Sequence, residues 1–177
     1  MKSASIMLAL FLSAASAHAE EKEAHEKAEA AEAAKKAPAL ATALKEAKVS
    51  LEKGLKASEK EGKPISAKFE VEDGKLLLSV YTMKNDKFFE VVVDHKSGKV
   101  AKTEPITGGE DLTAAKKQAE AMGKAKRSLR DVVAKAEKAN AGYKAVSVTP
   151  EIESGNVQAD LVLMKGAESK QVDEKLQ

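Results

Sequence analysis

The sequence predicts an α+β chain in which one unit, a helix packed on a small antiparallel β-meander, is used twice. Three observations predict it. Ser50-Leu51 recurs as Ser128-Leu129, an offset of 128 − 50 = 78. Glu72-Asp73-Gly74 recurs as Glu153-Ser154-Gly155, and Met83-Lys84 as Met164-Lys165, both at an offset of 155 − 74 = 81. In each copy an apolar period of three to four residues gives way to a period of two, the change expected from helix to strand. The three extra residues of the second copy fall between its helix and its first strand, where insertions are tolerated. Repetition over this length marks a duplicated supersecondary unit. The expected division is a signal peptide over 1–19, a charged leader over 20–38, a first repeat over 39–107 and a second, divergent repeat over 108–177.

The N-terminus reads as a secretory signal. Lys2 supplies the positive start, Ile6 to Leu12 the apolar core, and Ala17-His18-Ala19 a small-x-small cleavage site, with cleavage expected after Ala19. No other apolar run approaches spanning length, so the mature chain is not expected to insert in a membrane. The chain has no cysteine, which excludes disulfides, thiol chemistry and a lipidated cysteine anchor. Its net charge is +2, falling to +1 once Lys2 is removed, so no global field draws it to nucleic acid.

Glu20 to Ala37 is almost entirely Glu, Lys and Ala. Glu23/Lys27 and Glu32/Lys36 stand four apart in the favourable order, giving weak support to a helix; the leader reads as a solvated, frayed helix or a disordered segment that ends before Pro38. Glu21 and His25 would share a face of it, but a metal needs further ligands, and a solvated charged face is the simpler reading. From Ala39 to about Glu59, Leu40, Leu44, Ala47, Leu51, Leu55 and Ser58 form one stripe of a single amphipathic helix. Gly54 beside that stripe suits a close approach to a sheet, and Glu61-Gly62-Lys63-Pro64 stops the helix.

Ile65 to Val71 and Leu76 to Met83 are strands joined by Asp73-Gly74, a strong hairpin signal. Leu76, Leu78 and Val80 face one way; Leu77, Ser79 and Tyr81 face the other. After the Lys84-Asn85-Asp86-Lys87 turn, Phe89, Val91 and Val93 face the core, with Phe88, Glu90 and Val92 opposite. Val100 to Ile106 adds a short last strand, and Thr107-Gly108-Gly109 is a linker. Asp111 is placed to cap the next helix, whose stripe runs through Leu112, Ala115, Ala119, Met122, Leu129, Val133 and Ala136 with a candidate break at Gly123. Asn140-Ala141-Gly142 closes it. Tyr143 to Ile152 and Val157 to Met164 form a second hairpin, and Ala167 to Val172 a weaker third strand.

The run Val91-Val92-Val93-Asp94-His95-Lys96-Ser97-Gly98-Lys99-Val100 resembles the closing signature of PepSY domains, Val-Asp-x-x-x-Gly-x-Val. The helix from Leu40 and the Asp73-Gly74 hairpin precede it in the family's order. The resemblance covers about Ala39 to Ile106 and extends more loosely to Asp111 to Leu176, where the Asp-x-x-x-Gly turn is lacking. It implies binding or inhibition of a secreted peptidase or another envelope protein rather than catalysis. In plain physical terms, Asp94 starts the turn by accepting from backbone amides, and Gly98 supplies a positive φ.

No catalytic, cofactor or metal residues are assigned. His95 is the only histidine in either repeat, and the chain has no Walker loop, dinucleotide loop, Gly-x-Ser-x-Gly or His-Glu-x-x-His. The leading expectation is a periplasmic or secreted, non-enzymatic module that binds an extracytoplasmic protein. Candidate contacts are Tyr81, Phe88 and Val92 on the non-helix side of the first sheet, whose competing reading is a core contact between the copies. The alternative is metal or small-ligand sensing through His95, Asp94 and the leader acids.

Overall fold

The computed structural model describes residues 37–177, so the signal peptide and most of the charged leader lie outside the described residues. The chain is helical from the first described residue, through Pro38, over α1 (37–43), followed by a 3-10 turn at Leu44–Glu46. A helix thus runs through Pro38, where the sequence suggests a boundary. Then come α2 (Leu51–Ser58), β1 (Lys63–Glu72), β2 (Lys75–Lys84), β3 (Lys87–Val93), β4 (Val100–Ile106), α3 (Gly109–Lys124), α4 (Leu129–Ala139), β5 (Lys144–Glu153), β6 (Asn156–Lys165) and β7 (Glu168–Lys175). The strands form one antiparallel sheet in the order β4-β3-β2-β1-β5-β6-β7. The sequence predicts two small meanders whose copies pack as neighbours; the sheet is larger than either because β1 and β5 pair, with Ala67 opposite Val148 and Lys68 opposite Ser147.

Neither expected long helix is continuous. The apolar stripe from Leu40 to Leu55 crosses a break at Ala47–Ser50, where the amides of Lys48 and Val49 both donate to the carbonyl of His95, at 2.8 and 3.1 Å. The second breaks at Ala125–Ser128, where Lys126 and Arg127 donate to the carbonyl of Leu176 at 2.7 and 3.1 Å. Gly123 is therefore within α3, not its end. Each break leads into a serine cap. Ser50 Oγ accepts from Lys53 N, and Ser128 Oγ accepts from Asp131 N while Asp131 Oδ2 accepts from Ser128 N. The hydrogen bond from the Ser128 side chain holds the Asp131 carboxyl below the usual carboxylate range. Asp111 does not cap α3. It stands in the first turn, and Gly108 occupies the cap position.

The sheet carries helices on both faces. Leu78, Val80, Ala67, Val148 and Leu161 face α2 and α4, which pack side by side, and all five are buried. Lys135 of α4 pairs with Glu174, which is opposite Ala159, fixing α4 to that face. The other face, expected to be free of helices, carries α3. Ser66, opposite Tyr81, donates its hydroxyl to Gln118 Oε1 at 2.8 Å, and Lys63 Nζ donates to the carbonyl of Met122 at 2.8 Å.

Gly54 serves the close approach expected of it. A Cβ built there would lie 2.6 Å from Leu78 Cδ2, and Leu78 is wholly buried. At the positions 78 and 81 residues on stand Val132 and Ala159, both wholly buried, so the larger side chain has moved from sheet to helix. Gly54→Val alone should therefore overpack the core and cost roughly 1–3 kcal/mol. Gly54→Val with Leu78→Ala should be destabilised by clearly less than the sum of the two single changes, as read from denaturant midpoints; strict additivity would contradict the contact.

Candidate functional site

The turn from Asp94 to Lys99 is built by its own backbone. Asp94 Oδ1 accepts from the amides of Lys96 and Ser97 at 3.2 and 2.6 Å, and the Asp94 carbonyl accepts from Gly98 N at 2.8 Å. Gly98 has φ +75°, and an added Cβ would touch Val49 Cγ2 at 3.4 Å. Hydrogen bonds from Ser97 hold the Asp94 carboxyl below its ordinary value. Asp94 is thus engaged by the turn it initiates. His95 is half-buried rather than an exposed turn residue, and its carbonyl receives the α1–α2 break. Its Nδ1 is enclosed with no hydrogen-bond partner among the described residues. Glu21 and His25 lie outside the described residues.

Tyr81, Phe88 and Val92 do share one face of the sheet. Tyr81 is opposite Glu90, Phe88 opposite Met83 and Ile106, and Val92 opposite Ser79 and Lys102. They are packed rather than free. Phe88 is 9% exposed and belongs to the core. Tyr81 is half-buried, with Lys68 Nζ 5.8 Å from its ring centroid and Asp111, Ala114 and Gln118 of α3 around the same small cleft. Burial raises the phenol above its ordinary value. Val92 is half-buried beside Leu77 in a groove walled by Ala39, Thr42 and Ala43.

Two further clefts have no counterpart in the residue-by-residue reading of the sequence. The first, about 370 Å³, lies between Leu44, Ala47, Lys48 and Ser50 on one side and Glu137, Lys144 and Ala145 on the other. The second, about 440 Å³, lies between Met122, Ala125, Lys126 and Ser128 on one side and Glu59, Lys63 and Pro64 on the other. Much of the two linings corresponds. Lys126 stands 78 residues after Lys48, Ser128 after Ser50 and Glu137 after Glu59, while Lys144 stands 81 after Lys63. Each cleft is walled by a helix break from one part of the chain and by a helix end and strand start from the other. The signal for them was the Ser50/Ser128 recurrence, which marks a cap beside each cleft.

No protein-family model matches the chain, and comparison with curated proteins and with solved structures returns no match.

The geometry separates Gly98 from the side chain of His95. Gly98→Val should lower stability by roughly 1 kcal/mol or more, because a β-branched residue resists positive φ. His95→Ala keeps the carbonyl that anchors the break and should cost less. Paired thermal melts check the order, and a larger loss for His95→Ala would show that the imidazole itself holds the turn.

Proposed function

We propose that this chain is an exported, non-enzymatic protein-binding module, made of two PepSY-like units fused through one sheet, which takes its partner in the twin clefts. The observation that carries the reading is the agreement between the clefts and the central strand pair. Ala67 and Val148, opposite one another, are themselves 81 positions apart. Pairing of equivalent residues across antiparallel strands is what a two-fold axis normal to the sheet produces. Such an axis keeps α2 and α4 on one face and generates two copies of any cleft between the units. The strand irregularities agree, since the register shifts at Pro64/Ser66 and again at Ala145/Ser147. Duplicated, partly apolar clefts of this size suit the anchoring side chains of a protein partner. Export rests on the N-terminal signal, and the family on the turn sequence from Val93 to Val100.

A second reading, an envelope metal or small-ligand binding protein, draws on the enclosed Nδ1 of His95 beside Asp94.

Half-exposed Ala47 and Ala125 stand at corresponding places in the two clefts. Ala47→Tyr with Ala125→Tyr should fill both, abolishing capture of partners from the native extracytoplasmic fraction while the melting temperature stays within a few degrees. Capture unchanged by the double variant would remove the clefts as the binding surface. Failure of the wild type to retain any protein, with tight calorimetric binding of a divalent metal lost in His95→Ala, would favour the second reading.

A further inference from the structure

The two clefts correspond in position but not in charge. Val49 of the first cleft is replaced at the corresponding position by Arg127, and the second cleft also has Arg130 in its lining. The second cleft therefore gathers Lys63, Lys126, Arg127 and Arg130 around one lining carboxylate, Glu59. The way these cations are held matters. Lys63 Nζ donates to the Met122 carbonyl at 2.8 Å, and Arg127 Nη1 to the Lys175 carbonyl at 3.3 Å. A carbonyl fixes a cation in place without neutralising it. Arg130 alone is balanced, by Glu59 at 3.2 Å and Glu52 at 3.7 Å. Lys126 is exposed and makes no ion pair among the described residues. The first cleft is lined by three cations, Lys45, Lys48 and Lys144, and there Lys144 is paired with Glu137 at 3.2 Å; it has no arginine.

We propose that the second cleft is the specificity site of the module and takes an acidic segment of the partner, carboxylates against Lys63, Lys126 and Arg127 and an aliphatic side chain against Pro64 and Ala125. This rests on the binding-module reading and adds the chemistry of the occupant. Lys63 and Arg127, held by carbonyls and not neutralised, attract an anion without the cost of ordering long side chains at the moment of binding, and exposed Lys126 adds its charge. Nucleic acid fits less well. The mature chain would carry a net charge of only +1, so the positive potential is local to the cleft. The cleft also has no aromatic residue on which a base could stack.

The test uses the mature chain and a fluorescent peptide alternating glutamate and leucine, read by anisotropy. A lysine–leucine peptide and a single-stranded oligothymidylate serve as comparisons. The glutamate–leucine peptide should bind, more weakly as salt rises, and the lysine–leucine peptide should not. Lys126→Glu, a surface change, should weaken binding at least tenfold with unchanged melting temperature, whereas Lys48→Glu in the first cleft should alter it less than twofold. Arg127→Val, which restores the first cleft's residue, should also weaken it. No binding by the wild type, equal losses for Lys126→Glu and Lys48→Glu, or tighter binding of the oligothymidylate would overturn the proposal. Native partner capture that survives Lys126→Glu yet is lost when both alanines are filled would overturn the acidic occupant while leaving the binding module standing.

Discussion

The structure depends on the pairing of β1 with β5. Only two register positions join them, Ala67 with Val148 and Lys68 with Ser147, yet this junction makes one sheet of seven strands. Without it, β1 and β5 would each present an open edge of unpaired backbone groups, which stable proteins avoid. The junction also sets α2 beside α4, because both cover the face on which Ala67 and Val148 are buried. Both helix-break clefts follow, since each draws one wall from before the junction and one from after it. A short strand pairing thus determines where the core, the breaks and the clefts lie.

The two outer edges are protected differently. β4 carries Lys102, Glu104 and Pro105, all exposed; charge discourages strand addition, and Pro105 gives no amide to a ladder. β7 is short of apolar residues on its surface, with Glu168, Ser169 and Lys175 exposed. These edges do not invite another strand. Recognition is better served by the clefts at the centre than by the rim.

The hairpins were legible because their turns are local chemistry. Asp73 and Gly74 both have positive φ, as do Ser154 and Gly155, the backbone that a two-residue hairpin requires. The strand faces followed from alternation, and Gly54 from its place beside the α2 stripe. The helix breaks were not legible. The stripe through Leu44, Ala47 and Leu51 keeps its period across Ala47–Ser50, and what ends the helix is a carbonyl supplied by His95, distant in sequence. The same holds for Lys126 and the carbonyl of Leu176. The β1–β5 pairing left no trace either, because an alternating strand looks the same at an edge as in the middle of a sheet. For Tyr81 and Phe88 the sequence offers two readings, a partner anchor or a core contact between the copies; that α3 lies beside Tyr81, joined to the sheet by the Ser66–Gln118 and Lys63–Met122 bonds, is not legible in it.

The junction can be tested directly because the chain contains no cysteine. Lys68 and Ser147 are opposite in register, and neither is buried. Directly opposed strand residues hold their Cβ atoms about 4.5–5.5 Å apart, near disulfide range. Lys68→Cys with Ser147→Cys should therefore oxidise to an intramolecular disulfide in dilute protein, with a melting temperature at or above that of the wild type. A pair that stays reduced, forms only intermolecular dimers, or closes at the expense of native stability would contradict the β1–β5 junction and the account built on it.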